Sequence, residues 1–377
     1  MTLDVKLRKR DIIKMKYNVI DLFCGSGGFS KGFQDAGYNV RLGIDAWEDA
    51  VVTYQHNFPD AEVINKDITT INTNEILKIL NIQKDDIDVI IGGPPCQGFS
   101  LSGKRMIDDP RNILYKSFVD FVGEFKPKVF IMENVPGLIK LFGGSIKDSV
   151  IEDFSSLGYE VKYQTLSSEE YGVPQKRRRV FFVGINQEKL KNTRTFIFPA
   201  PTHGDGLWLE EPLTCEQAIS DLDFIPDDVA LNECEDYKVN PQTPYQKKMR
   251  AKSNYLFNHV ATIHKDKTKE IIALVPDGGN YKSLPDALKG TRKVNIAWTR
   301  MNSQKPCFTI DTGHNHHFHY KENRVPTVRE SARIQSFPDD FRFLGTKTSQ
   351  LKQVGNAVPP LVAQSLAEEV KKILNRG

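Results

Sequence analysis

Between Val19 and Val183 the chain alternates short apolar runs with longer amphipathic stretches, and this alternation restricts its fold more than any other feature. The runs Val19–Phe23, Val40–Ile44, Glu62–Ile64, Asp88–Gly92, Val129–Met132 and Val180–Val183 read as strands. They lack a clean period of two, as expected for strands buried on both faces. Ser30–Ala36, Glu48–Asn57, Thr73–Leu80, Leu114–Phe125 and Ser145–Leu157 read as helices between them. Such alternation implies an α/β fold, a parallel sheet covered by helices on both sides. The pattern stops after Gly184, where prolines, glycines and asparagines interrupt short strand-like pieces such as Thr195–Phe198. We therefore expect a first domain over 1–185 and an irregular mixed region with a small sheet over 186–328. A helical segment follows over 329–377, and its last helix (about 353–377) is expected to pack back on the first domain.

Composition narrows the class. A chain of 377 residues with 39% apolar and 26% charged residues suits a globular protein, and no apolar run approaches a membrane span. Met1–Lys16 has no apolar core of the kind that marks a secretory signal. The five cysteines, Cys24, Cys96, Cys215, Cys234 and Cys307, are odd in number and lack metal-site spacing. Reduced thiols in a cytoplasm are expected, without zinc or a disulfide framework. A net charge of +3 permits a nucleic-acid partner without requiring one.

In open α/β sheets ligands bind beyond the carboxyl ends of the strands. The residues that follow each run are chemically loaded: Phe23-Cys24-Gly25-Ser26-Gly27-Gly28, then Asp45, Asp67, Pro94-Pro95-Cys96 and Glu133-Asn134. The glycines let backbone amides approach a ligand at a helix start, although a tight strand-to-helix turn needs the same residues. Asp45 stands about twenty residues on, where an acid can take ribose hydroxyls; capping a helix is the plainer role, for Asp67 as well. Cys96 lies in a polar loop stiffened by two prolines, a poor setting for a core cysteine and a good one for a placed nucleophile. Arg177 and Arg179 are candidates for shaping its surroundings. Glu133, at the end of an apolar strand, could stay protonated or pair with an arginine.

The sequence resembles the cytosine-5 DNA methyltransferase family over almost its full length. The stretches that carry the resemblance are Asp21–Phe29, Gly93–Ser100, Glu133-Asn134-Val135, Gln175–Arg179, Arg329–Pro338 and Gln353–Pro360, in the family's order. The resemblance implies a Rossmann-like S-adenosylmethionine-dependent methyltransferase sheet over 1–185 and a target recognition domain over 186–328. It implies Cys96 as the nucleophile toward carbon 6 of a flipped cytosine. Glu133 would meet the N3 and amino edge of that base, and Arg179 would orient both. S-adenosylmethionine would be held by Phe23, Gly25, Gly27, Asp45, Asp67, Ile68, Pro94, Asn356 and Ala357, with no metal. In one departure, Ala46 follows Asp45 and Trp47 comes one position later, so the residue that packs on the adenine is left open. The loop from Ser100 to Arg111, with Ser100, Lys104 and Arg105, is expected to close over the base on duplex DNA. Thr309 is expected to touch the target-strand backbone. Lys247, Lys248, Arg250, Lys252, Arg292, Lys293 and Arg300 are candidates for DNA contact that the sequence does not rank. His314, His316, His317 and His319 read as a polar loop near DNA rather than a metal site. The chain would act as a monomer in a bacterial cytoplasm, at the nucleoid when bound to DNA, alongside a restriction endonuclease. A transfer-RNA cytosine-5 methyltransferase, suggested by Cys307-Phe308-Thr309, and a catalytically silent DNA-binding relative are the rivals.

Overall fold

The central apolar runs of the first half become strands because each can bury both faces, whereas the run at Glu62–Asn65 forms an edge strand with no fully buried residue. The computed structural model describes residues 17–95, 112–191, 195–222, 234–289, 298–312 and 317–375. The first half runs β1 (Asn18–Leu22), α1 (Gly28–Asp35), β2 (Asn39–Asp45), α2 (Glu48–Asn57), β3 (Glu62–Asn65), α3 (Thr73–Leu80), β4 (Val89–Gly92), α4 (Ile113–Phe125), β5 (Val129–Asn134), α5 (Ser145–Ser156), β6 (Tyr159–Ser167) and β7 (Arg178–Asn186). These strands form a seven-stranded sheet in the order β3-β2-β1-β4-β5-β7-β6. β1 pairs in parallel with both β2 and β4, whereas β7 runs antiparallel between β5 and β6. The chain thus winds outward in both directions from the β1–β4 junction, the switch point where open sheets of this kind leave a crevice.

Alternate residues of each strand feed two cores. Ile20, Leu22, Ile90 and Phe130 pack with Phe118 and Val122 of α4 and Phe154 of α5. Val19, Val89, Ile91 and Val129 pack on the other face with Phe29 and Phe33 of α1. The second half adds α6 (Cys215–Ile219), β8 (Cys234–Glu235), α7 (Pro244–Arg250), β9 (Leu256–Phe257), α8 (Asp266–Ala273), α9 (Asp286–Lys289), β10 (Thr299–Arg300), β11 (His317–Phe318), α10 (Val328–Ile334), α11 (Lys347–Asn356) and α12 (Pro360–Leu374). α12 lays Val362, Leu366 and Val370 on the α1 face, each burial contributing roughly 1.5–3 kcal/mol as an upper bound. The two helices approach closely at Gly32, where an added Cβ would lie 2.4 Å from that of Ala363.

Between β7 and α10, β8 and β9 form an antiparallel pair and β10 and β11 a parallel pair. Ile271, Ile272, Val275, Trp298 and Phe318 share a small core of their own. Ala218, Tyr245 and Met249 instead pack in one cluster with Tyr54, Phe58, Ala332 and Val354. The sequence change at Gly184 therefore does not coincide with a break in packing. Two elements differ from expectation. Thr195–Phe198 is not a strand: Phe196 is buried and Phe198 partly buried against the α1-side core, but no ladder partner lies alongside. β6, absent from the sequence reading, is an edge strand whose Glu160, Lys162 and Gln164 interrupt the apolar run.

Candidate active site

The crevice beyond β1 and β4 has a volume of about 790 Å³. Of the residues expected from sequence, Phe23, Gly25, Asp45, Asp67, Ile68, Pro94, Glu133, Arg179, Asn356 and Ala357 all line it. They come from the ends of six strands and the end of α11, hence from segments spread over most of the chain.

The glycine loop is shaped by packing as much as by any ligand. Gly27 sits at φ +98°, and an added Cβ would meet Phe58 at 2.4 Å and Tyr54 at 2.9 Å. It lies behind the crevice wall and lets the loop fold down on those rings. Asp45 accepts hydrogen bonds from Gly25 N at 2.8 Å and Trp47 N at 2.8 Å, so it braces the loop with one oxygen and the next turn with the other. Burial raises its carboxyl above the usual range, while the Trp47, Gly25 and Ala46 amides pull it down. Asp67 caps the 3-10 turn Ile68–Thr70 through Thr69 N at 2.9 Å, yet also faces the crevice.

At the other end of the crevice Glu133 Oε1 pairs with Arg179 Nε at 2.8 Å. Its Oε2 lies against Gly93, 3.1 Å from where a Cβ would stand there. Burial pushes the Glu133 carboxyl up, and Arg179 and then Arg177 work against the shift. Asn134 Nδ2 donates to Pro94 O at 3.0 Å, tying the Gly93-Pro94-Pro95 turn to the strand that carries Glu133. Cys96 comes next in the chain and, with Ser100, Lys104 and Arg105, lies outside the described residues.

Arg177 is buried and does not line the crevice. It donates to Ile310 O at 3.2 Å and Gly355 O at 2.9 Å, knitting the β7 entry to two distant segments. Thr309 is also off the crevice; its hydroxyl donates to Lys176 O at 2.7 Å. Of the four loop histidines, His314 and His316 lie outside the described residues. His317 faces Asp311 at 3.6 Å and His319 faces Glu330 at 3.6 Å. No group of three potential metal ligands occurs among the described residues. Nor is any described helix long and apolar enough to cross a membrane.

Several crevice residues were not singled out by sequence reasoning as ligand contacts. Asp21 is 1% exposed, and its Oδ2 accepts from Ser30 Oγ at 2.6 Å. Its signal was available: an acid inside a strand otherwise buried on both faces. Thr312 and Lys352 also line the wall, and Lys352 Nζ stands 4.5 Å from the centre of the Trp47 ring. Nothing local in the sequence marks either one.

The profile of the family described as C-5 cytosine-specific DNA methylase matches residues 17–372. The chain is 42% identical to the type II methyltransferase M.DdeI of Desulfomicrobium norvegicum, over 94% of this chain and 88% of that one. It is 38% identical to the type II methyltransferase M1.HphI of Haemophilus parahaemolyticus, over 97% and 90%. A crystal structure described as that of a DNA modification methyltransferase encoded within a prophage (E. coli) superimposes with a TM-score of 0.78 at 30% identity, covering 96% of this chain and all of that one. On the extent of these matches, the chain belongs to the C-5 cytosine-specific DNA methylase family and is a DNA cytosine-5 methyltransferase.

Proposed function

We propose that the protein transfers a methyl group from S-adenosylmethionine to carbon 5 of a cytosine flipped out of a specific duplex site, with Cys96 as the covalent nucleophile. The observation that carries this reading is one crevice with two differently equipped ends. At one end stand carboxylates and a glycine loop; at the other, Glu133 is held by Arg179 beside the turn that leads to Cys96.

The first end suits the methyl donor. Asp45 offers a carboxylate beside a glycine loop, where an adenosine ribose would bind, and Trp47 supplies an aromatic surface for the adenine. The Ser26 hydroxyl, buried in the wall, meets no partner among the described residues. Phe23, Gly25, Asp67, Ile68, Pro94, Asn356 and Ala357 complete the enclosure. Gly27 acts from behind, by shaping the loop. When bound, S-adenosylmethionine supplies a methyl group already activated by a positive sulfur, so the protein's task is placement and charge control.

At the second end Cys96 bonds to carbon 6 of the base. Glu133 meets the N3 and amino edge, and its raised affinity for a proton lets it donate to N3 as the ring takes up electron density. Arg179 fixes the orientation of Glu133. Arg177 acts as a brace for the basic segment rather than by touching the base. After methylation, loss of the carbon 5 proton and expulsion of the thiolate restore Cys96. Region 186–328 serves target recognition, with Ser100, Lys104, Arg105 and Thr309 meeting DNA. The cytoplasm, a monomeric state and a companion restriction endonuclease complete the proposal, and the type II relatives support the last of these. Those relatives also favour DNA over transfer RNA as substrate.

Incubation of duplex DNA and, in parallel, transfer RNA with labelled S-adenosylmethionine, followed by digestion to nucleosides, is the test. Label is expected in 5-methylcytosine. Label confined to transfer RNA, or to an exocyclic amine, would overturn the proposal.

A further inference from the structure

We propose that Asp21 is a charge gate for the methyl donor: its carboxyl releases a proton to solvent when the sulfonium-bearing donor binds and recovers one when the uncharged thioether product remains. This rests on the reading of the crevice as the donor site.

The geometry sets Asp21 apart from the other acids there. It sits within the buried run of β1, is 1% exposed and still lines the crevice. Ser30 Oγ donates to it at 2.6 Å and in turn lies 2.7 Å from the Tyr54 hydroxyl. The groups that face it are Ser30 from α1, Tyr54 from α2, the Cys24 thiol from its own loop and Asp45 from β2. No lysine or arginine is among them. Glu133, in the same crevice, has Arg179 against it. Asp21 has a hydroxyl relay, the Ser30 backbone N–H and a second carboxyl instead, so among the described residues no cation compensates its negative charge. A cationic ligand would supply the missing charge.

Burial pushes the Asp21 carboxyl up to about 8, with Ser30 pulling down and Asp45 adding to the rise. In the ligand-free protein near neutrality the carboxyl is therefore mostly protonated. A positive sulfur brought into the crevice favours the carboxylate and expels the proton. The sign follows from linkage: donor affinity rises with pH, by up to about tenfold per unit, and levels off above about pH 8. The product has lost the sulfonium charge, so its affinity is flat over the same range. Donor is preferred to product because only the donor can ionise Asp21.

Calorimetric titration of the full chain with S-adenosylmethionine and S-adenosylhomocysteine, at pH 7 in two buffers of different ionisation enthalpy, reads the proton directly. We expect release approaching one proton with the donor and none with the product. Asp21→Asn is expected to abolish the release and to reduce the donor-over-product affinity ratio about tenfold. Tyr54→Phe keeps the packing and removes the last hydroxyl of the relay, so it should move the midpoint of donor binding to higher pH. A protonated-carboxyl infrared band in the ligand-free protein, lost in Asp21→Asn, is the accompanying signature. Donor binding with the same heat in both buffers overturns the gate while leaving the donor site intact. No donor binding at any pH removes the donor site, and the gate with it.

Discussion

At the scale of single residues, two acids in one crevice are tuned by different neighbours. Glu133 is raised by burial and restrained by Arg179 and Arg177, which suits a group that must both hold and share a proton. Glu133→Gln keeps the shape and removes the ionisable carboxyl proton. The expected result is a fall in the methylation rate constant by about 10²–10⁴ with donor affinity unchanged, read by single-turnover assays beside equilibrium binding. A variant with near-normal rate would remove Glu133 from the chemistry. The place of Glu133 in the crevice was legible because it ends an apolar run, where the sheet architecture places ligands. Arg177 was misleading for a physical reason. It alternates with Arg179 along one segment, and sequence does not show that one guanidinium turns to a carboxylate while the other ends on the carbonyls of Ile310 and Gly355.

At the scale of elements, α10 is buried along its whole length although it carries Arg329, Glu330 and Arg333. Its start is a reciprocal capping box: Glu330 N donates to Thr327 Oγ1 at 3.1 Å and Thr327 N donates to Glu330 Oε2 at 2.7 Å. His259 completes this end, with Nδ1 2.9 Å from Thr327 Oγ1 and Nε2 3.1 Å from Leu222 O. A hydroxyl that donates to Nδ1 and a carbonyl that accepts from Nε2 require the neutral ring. Burial depresses the His259 ring to about 4, against the pull of Glu330. The folded state thus binds fewer protons than the unfolded one, whose histidine titrates near 6.5. Its contribution is full above about pH 6.5 and lost as pH falls toward 4, by roughly 3 kcal/mol. Urea unfolding at several pH values should show this slope and show less of it in His259→Gln; an unchanged slope would assign it to other groups. The helices of the first half were legible because each shows an apolar face and clear limits. The helical character of α10 was expected from Arg329 on but its complete burial was not, since the buried helix is charged, and β6 is hidden by the polar side chains of an edge.

At the scale of the whole molecule, buried arginines do what hydrophobic periodicity could not announce. Arg333 reaches Asp221 at 2.6 Å and Asp339 at 2.7 Å, and Arg250 joins Asp221 at 3.2 Å. Three segments, around Asp221, around Arg250 and over Arg333–Asp339, are thereby tied together. Asp339→Asn leaves Arg333 under-compensated in a dry site and should cost about 3–5 kcal/mol by chemical denaturation. A loss below about 1 kcal/mol, the range of exposed pairs, would mean that water reaches the cluster. A tie such as Arg333–Asp221, formed across more than a hundred residues of chain, explains why the sheet was readable from sequence and the second half was not. The proposed function needs a base and a methyl donor to meet in one crevice. The account stands on a bond between Cys96 and that base. Duplex DNA carrying 5-fluorocytosine at the target position cannot lose the proton needed for release, so with S-adenosylmethionine present the enzyme should remain attached through denaturing electrophoresis. Cys96→Ala should leave no attached species; an adduct of undiminished yield in that variant would contradict the account.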